Sequence, residues 1–487
     1  MGFSFLLLGL LEVIKPVNLL IILFGLVAGF AIGALPGLGS TVGAALFIPL
    51  TYGMSSSQAL LLLGALYASS VYAGQVPAIL FRIPGAEEAV VTTIEGYEMT
   101  KKGQAGKALG WGLSSSVLGS VFGAIVLILL APLLAKVALQ FGPPEYFALG
   151  ILGLTAVSGL GGKSLVKAVI AVLLGLFFAT IGIDSMTGVP RFTFGSNTLL
   201  SGIPFIPALL GLFAVAEVFK QVASKDMGST VGTAGLDDQT QLKVKLPSLK
   251  ELQGVSWPLL RSSLIGSWIG ILPGVGATTA AIMSYSYAVK LSKEPEKFGT
   301  GNPEGLVACE TANNAAVGGA LVPLLALGIP GSATTAVMLG AFLIHGLKPG
   351  PLFLVQQQKL AYTVFAGLLV ASFLMLPVAL QMIKPFLRLF RVSYPVLAAG
   401  ILGFCAAGAR GMGDLYGVLL MFVFGVIGYL METHDFPVAP MVLGLVLGPI
   451  VETNLRRTFI LAGSNPLFIL TRPIAATLLV LSILLLV

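Results

Sequence analysis

Charge is what this chain has least of. Asp, Glu, Lys and Arg make up only 10% of its 487 residues, against about 25% in a soluble domain. Histidine occurs twice, at His345 and His434, and cysteine twice, at Cys309 and Cys405. Two isolated histidines with no paired acid argue against an intramembrane enzyme, which needs a nucleophile with a partner or a metal cluster. Two cysteines in apolar surroundings support no disulfide framework and read as small packing residues. The start of the chain shows neither a basic segment nor a small-residue cleavage site, so no removable signal peptide is expected. No GxxxxGK[ST] phosphate loop occurs, which argues against nucleotide-driven pumping by this chain. The net charge of +7 does not point to nucleic acid, because Lys and Arg fall in connecting segments, as the cytoplasmic-loop bias of membrane proteins predicts.

Apolar residues fill the space left by charge. They make up 56% of the chain, and the mean hydropathy is +0.99. Apolar runs, several near the roughly 20 residues that span a bilayer, occur at Leu19–Ile32, Gln58–Leu80, Val117–Val137, Leu165–Ile183, Ala361–Met375, Leu415–Leu430 and Ile474–Val487. The expected fold is all-α: a polytopic membrane protein of about ten to twelve segments, some discontinuous or re-entrant. Val117 to Phe141 and Tyr146 to Ile183 each divide in more than one way. Glycine (61) and proline (28) are abundant. Gly lets membrane helices approach closely. Pro strips a helix of backbone partners that lipid cannot replace, so such a break must be buried in protein or face a wet cavity.

These breaks recur. Leu35-Pro36-Gly37-Leu38-Gly39-Ser40-Thr41 returns as Leu272-Pro273-Gly274-Val275-Gly276-Ala277-Thr278, an offset of 237. Val76-Pro77 with Ile83-Pro84-Gly85 returns as Val322-Pro323 with Ile329-Pro330-Gly331, an offset of 246. Gly150-Ile151-Leu152-Gly153 matches Gly400-Ile401-Leu402-Gly403, and Pro207–Leu212 resembles Pro440–Leu445. Four matched blocks in order divide the chain into a first half, 1–219, a polar linker, 220–255, and a second half, 256–487. The Lys excess of the linker places it on the cytoplasmic side. Paired interruptions of this kind mark secondary transporters, and inverted repeats are expected on mechanistic grounds.

The chemistry follows from the breaks. Pro36 and Pro273 should end or unwind their helices. Gly37, Gly39, Gly274 and Gly276 tolerate the tight backbone that follows. Ser40, Thr41, Thr278 and Thr279 then sit where a new helix starts and either cap it or point into a cavity. Gly85, Gly331, Ser332 and Thr334 repeat the logic at the Ile-Pro-Gly turns. Exposed N–H groups at such helix starts favour an anion. Asn313 and Asn314 are adjacent amides in an apolar run; their oxygens suit Na⁺, or they bond another helix. Glu310, one turn earlier, is a proton or ion partner, or a helix-end residue. In the first half Ala86, Glu87 and Glu88 follow the turn, so Glu87 is expected to fill the anion slot in place of substrate and to join Asn313 and Asn314 as a coupling-ion residue. Arg82 is expected to neutralise Glu87 or Glu88 at rest and to bind substrate when released. Asp184, Glu217 and Glu452 are expected near segment ends, and Arg456-Arg457 as a cytoplasmic anchor pair.

Several long segments resemble the large membrane subunit of the tripartite tricarboxylate transporters, the TctA family. They are GALPGLGSTVGAALFIPLTYG (33–53), the IPG…EGYEMTKKGQAGKALG run (83–110), GILPGVGATTAAIMSYSYA (270–288), and ETANNAAVGGALVPLLALGIPGSATTAVMLGAFLIHGLKPGP (310–351). The resemblance covers essentially the whole chain. It implies a multi-pass carrier of the bacterial inner membrane. Such a carrier works with a small membrane subunit (TctB-like) and a periplasmic solute-binding protein (TctC-like) to import an organic di- or tricarboxylate. A Na⁺ or H⁺ gradient drives uptake, and no other cofactor is implied. The chain departs from the family pattern at Arg82–Glu87, where members carry a turn close to NIPGTP, and at Ala73-Gly74-Gln75. That departure favours a carboxylate other than citrate, such as a dicarboxylic or aromatic one. A stand-alone or channel-like organic anion carrier is the competing reading.

Overall fold

A computed structural model describes residues 2–160, 164–223, 242–389, 394–411, 415–463 and 465–485. These residues are almost entirely helical; the strands among them are Gly182–Ile183 and Pro190–Arg191, which pair antiparallel. Seven helices among the described residues are long and apolar enough to cross a bilayer, and five shorter apolar helices accompany them. Two helices form the centre. Ser56–Ala73 is buried from Ala59 onward, and Pro303–Leu327 is buried from Gly305 to Ala326. Everything the chain needs at its middle therefore has to be carried by these two or inserted between them.

The local chain explains where helices start and stop. Proline opens Pro16–Gly33, Pro303–Leu327 and Pro473–Leu484, a position where its missing N–H costs nothing. Pro16–Gly33 stops before Pro36 and Ser256–Ile271 stops before Pro273. Each break crosses two left-handed glycines: Gly37 (φ +83°) and Gly39 (φ +44°), then Gly274 (φ +75°) and Gly276 (φ +73°). New helices follow at Gly39–Phe47 and Gly276–Leu291. Val117 to Phe141 lies largely within one long helix, Ala105–Ala138, whereas Pro143–Leu160 and Leu165–Ala179 are separate. The run read as Leu165–Ile183 is shorter than its hydropathy implied, because Gly182–Ile183 belongs to the small hairpin.

Packing repeats at the sequence offsets. A Cβ on Gly29 would lie 2.4 Å from the Leu66 carbonyl oxygen; one on Gly266 would lie 2.2 Å from that of Ala312. Only a glycine admits so close an approach. Pro16–Gly33 thus lies on Ser56–Ala73 as Ser256–Ile271 lies on Pro303–Leu327. Farther out the two sequence halves interdigitate: Leu165–Ala179 packs on Val438–Leu461, and Leu415–Thr433 packs on the Phe205–Ala223 rod. One sequence match does not carry over, since Gly150 and Gly153 are packed while Gly400 and Gly403 face open space.

The polar stretch begins later than its first lysine. Lys220 is still helical in Ala216–Ala223. Residues 224–241, with Lys225, Asp226, Asp237 and Asp238, lie outside the described residues. The chain then runs along the start of Ala105–Ala138, where the Lys245 N–H donates to the Gly106 carbonyl at 2.9 Å. Ser248 and Glu251 form a capping box on Leu249–Gly254.

Candidate functional site

The four Pro-Gly bends meet. Ser40, just past the first break, donates from Oγ to Glu88 Oε1 at 2.9 Å. The same hydroxyl shares a 2.9 Å hydrogen bond with Thr334 Oγ1, and Thr41 Oγ1 shares another of 2.9 Å with Thr334. Glu88 follows the first Ile-Pro-Gly turn and Thr334 follows the second, so Ser40 joins both turns to the first break. The second break closes the set: Gly276 faces the Ser332 Cβ at 3.9 Å, and Gly276–Leu291 packs on Glu87–Ala89. Each Ile-Pro-Gly turn thus contacts the new helix of the opposite sequence half. Ser40, Glu88, Ser332 and Thr334 are all buried.

The turns are built alike. A Cβ on Gly85 would meet the Gly33 carbonyl oxygen at 2.5 Å, and one on Gly331 would meet that of Gly270 at 2.6 Å. The helices before them end in left-handed caps, Arg82 (φ 61°) and Gly328 (φ 76°). Ile83 N–H returns to the Pro77 carbonyl at 3.4 Å, as Ile329 N–H returns to that of Pro323 at 3.3 Å. These are Schellman closures. Arg82 therefore stands where the second copy has glycine. Its side chain is exposed and its guanidinium lies 6.0 Å from the Tyr97 ring centre. Among the described residues no ion pair joins Arg82 to Glu87 or Glu88, so the expected resting pair is absent; the left-handed cap aims the side chain at Tyr97 instead.

Of the two roles left open for the hydroxyls after Pro36 and Pro273, capping is not the one adopted. Ser40, Thr41, Thr278 and Thr279 do not cap the new helices, because Leu38 and Val275 occupy the cap positions. Thr279 is turned back onto the Val275 carbonyl at 3.2 Å, and Thr278 is half-buried. Ser332 is a true cap: its Oγ accepts from Thr335 N–H at 3.2 Å, and Thr335 Oγ1 accepts from Ser332 N–H at 2.8 Å. Ala333 and Thr334 then carry the first-turn N–H groups outside the capping box.

Asn314 and Asn313 part ways. Asn314 Nδ2 donates to the Ala68 carbonyl at 3.2 Å and to Ser120 Oγ at 3.0 Å, a bond between helices. Asn313 is fully buried, and neither Nδ2 nor Oδ1 has a partner. Its counterpart 246 residues earlier is Tyr67, whose hydroxyl contacts Ser332 Oγ at 3.1 Å. The residue matching Ser332 is Ala86, which offers Asn313 no hydroxyl. A buried amide left unpaired costs about 1–3 kcal/mol, and a ligand polar group would remove that cost.

Three residues that hydropathy could not single out frame the site. Glu217, expected near an interface, is buried with Oε1 where a Cβ on Gly37 would stand, 2.1 Å away. Lys220 holds Glu432 at 2.8 Å and lies 3.7 Å from Glu217. Its charge also reaches Glu87, an exposed side chain crowded by protein. Tyr67 is the third; it stands 246 residues before Asn313, but its contact with Ser332 is visible only in the structure. Arg456, read as part of an anchor pair, instead binds Asp184 at 2.6 Å and Glu452 at 3.0 Å, and Arg191 joins Glu452 at 2.5 Å. That network ties the hairpin to Val438–Leu461. Met186 N–H and Arg456 hold the Asp184 carboxyl well below the usual carboxylate range. No group of three or more His, Cys, Asp or Glu placed for a metal occurs among the described residues.

The sequence profile of the tripartite tricarboxylate transporter TctA family matches residues 19–443. An Agrobacterium vitis relative, described as an uncharacterized 52.8 kDa protein in the TAR-I ttuC' 3' region, is 36% identical over 479 residues, covering 97% of this chain and 93% of its own length. A second from that organism, described by the TAR-II ttuC' 3' region, is 36% identical over 218 residues, 44% of this chain and 89% of its own. No solved structure matches. With a profile spanning the four breaks and a relative aligned almost end to end, the chain belongs to the TctA family of tripartite tricarboxylate transporters.

Proposed function

We propose that this chain is the translocating subunit for an organic di- or tricarboxylate at the bacterial inner membrane. It takes substrate from a periplasmic binding protein of TctC type, works with a small membrane subunit of TctB type, and is driven by Na⁺ or H⁺. The observation that carries this reading is the meeting of Ser40, Thr41, Thr334 and Glu88 in one hydrogen-bonded group. Interrupted helices that converge inside a bundle place unpaired backbone N–H groups on a common point, the arrangement that suits a carboxylate in secondary transporters.

Charge gives the reading its coupling. Glu88 lies in the group, Glu217 under Gly37 and Glu87 near Lys220; among the described residues Lys220 is the cation that the contacts of these carboxylates include. An entering carboxylate meets net negative charge, which low dielectric makes costly. A bound cation at Glu88 removes that cost, so anion and cation enter together. Asn313 is a fully buried amide with no partner, and in this reading it serves the ligand or the coupling ion. The two sequence halves, packed alike at Gly29 and Gly266, act as related units around the shared centre.

Proteoliposomes holding this chain with a small subunit and a binding protein, given a panel of labelled di- and tricarboxylates, test the reading. Saturable uptake that needs a Na⁺ or H⁺ gradient and the binding protein is expected. Absence of uptake for every member under both gradients would remove it, and uptake without the binding protein would favour a stand-alone carrier.

A further inference from the structure

Two buried glutamates outside the central group are treated in opposite ways by the fold. Glu95 has four donors: Tyr285 hydroxyl and the N–H groups of Gly299, Gly301 and Asn302, at 2.6 to 2.8 Å. These four donors make it the clamp of the polar loop before Pro303–Leu327. Glu310 is just as buried, at 0% exposure, and receives two hydroxyls. Thr92 Oγ1 donates to Oε1, and Ser116 Oγ donates to Oε2 at 3.1 Å. No ion pair reaches it from any described Lys, Arg or His. The sequence left open a helix-end position for Glu310; it lies instead two turns into the most buried helix of the protein, about 10 Å from its start at 1.5 Å per residue.

Among the described residues the cation nearest along the packed helices, Arg261, is engaged by Glu304 and not by Glu310. Ala105–Ala138, Ser256–Ile271, Gly276–Leu291, Ser56–Ala73 and Thr92–Lys101 all pack on Pro303–Leu327; Ser256–Ile271 brings Arg261, which lies 3.9 Å from Glu304 near the helix start, and Gly276–Leu291 brings Tyr285, which donates to Glu95. From Ser56–Ala73 comes Tyr72, from the turn beyond it Glu88, and from the helix of Glu310 itself Cys309; these are the ionisable groups whose charge couples to Glu310. From Ala105–Ala138 comes Ser116, and from Thr92–Lys101 comes Thr92. Ser116 Oγ accepts from Gln75 Nε2 at 3.1 Å, while Gln75 Oε1 is fully buried with no partner, as is the Tyr72 hydroxyl. Each carboxylate oxygen touches one hydroxyl, a group that can donate to the charged carboxylate or accept from the neutral acid by turning its O–H.

We propose that Glu310, with Thr92, Ser116 and the unpaired amide oxygen of Gln75, forms a proton-binding site distinct from the central carboxylate group. A buried carboxylate with two neutral donors and no cation needs a positive companion, and a proton fits the contacts observed. Proton binding forms one O–H bond on a carboxylate oxygen and turns the hydroxyl that donated to that oxygen, Thr92 or Ser116, into its acceptor; release breaks the O–H bond and restores the donor. The site lies between the Glu95-clamped loop and the Ser40–Glu88 group, which gives an incoming proton a stop on the way to the centre. This last role rests on the transport reading; occupancy of the site by a proton does not.

Infrared titration of the purified, reconstituted chain separates the two. The wild-type protein is expected to show the carbonyl stretch of a buried protonated carboxylic acid, shifted in D₂O and removed as pH rises. The band is expected to be missing in Glu310→Gln, moved in Glu310→Asp, and kept in Glu88→Gln. Replacing potassium chloride by sodium chloride is expected to leave it unchanged. Identical spectra for wild type and Glu310→Gln throughout the titration would overturn the proposal, and so would loss of the Glu310 band on adding sodium. If Glu310→Gln does not fold, the Glu310→Asp shift still decides the assignment. Uptake assays on the same wild-type vesicles report separately on transport.

Discussion

Ser40 sits at the point where the chemistry is densest. Its hydroxyl touches Glu88 and Thr334, one from each Ile-Pro-Gly turn. Removing it strands a carboxylate oxygen in a buried place, which costs about 1–3 kcal/mol. Ser40→Ala is therefore expected to cut carboxylate uptake by about tenfold or more, with membrane insertion retained; uptake and detergent melting, measured on one preparation, check both. Glu88→Gln is expected to abolish the cation dependence of uptake, whereas the same change at Glu87, exposed at the edge, is expected to weaken it less. Arg82 gives the opposite case. It occupies a left-handed cap that glycine holds in the second copy, a conformation costing about 1–2 kcal/mol for an L-residue. Arg82→Gly is expected to raise stability by about 1 kcal/mol and to leave uptake at the wild-type level. A collapse of uptake in that variant would restore Arg82 to the site. The sequence showed both charges beside a Pro-Gly turn but not which way each pointed, because direction at a left-handed cap depends on a φ angle and not on residue type.

At the scale of elements, proline and glycine made the breaks legible. Pro36 and Pro273 have too few backbone partners to continue a helix, and Gly37 and Gly274 adopt the left-handed turns that follow. The offsets of 237 and 246 also describe contacts, since Gly29 and Gly266 meet Leu66 and Ala312 in the same way. A bulky residue there must push two central helices apart. Gly266→Val is expected to destabilise the chain by about 1–3 kcal/mol, read as a lower melting midpoint and less folded protein in the membrane. What the sequence concealed were contacts across long separations. Glu217 under Gly37 and Tyr67 against Ser332 each link residues more than 170 positions apart, and neither hydropathy nor spacing reports such a meeting. The apolar run from Leu165 misled by a few residues, because a two-residue strand ends it and not a polar signal.

For the whole molecule, the account is one of two interlocked sets of helices that deliver four bends to one buried group. Their outer rods exchange partners, Leu165–Ala179 with Val438–Leu461 and Leu415–Thr433 with the Phe205–Ala223 rod, so neither sequence half closes around the centre alone. The hairpin network of Asp184, Arg191, Glu452 and Arg456 pins one edge of that assembly. The folded-state pKa of Asp184 is depressed, so its contribution is present above the unfolded-state value, about 3.9, and is lost as pH falls through the native one. Melting of the chain is expected to lose no stability from this network between neutral and mildly acidic pH, and a large drop there traced to Asp184→Asn would contradict it. Family membership was legible from the long motifs, whereas the pairing of Ser40 with Thr334 needed the structure. That pairing is also the most direct test of the centre. In a background with Cys309→Ala and Cys405→Ala, Thr41→Cys and Thr334→Cys place two thiols where hydroxyls now lie 2.9 Å apart. Oxidation is expected to join them rapidly, to block uptake, and to be slowed by a transported carboxylate. Thiols that stay separate, or that join at a rate no carboxylate alters, would contradict the account.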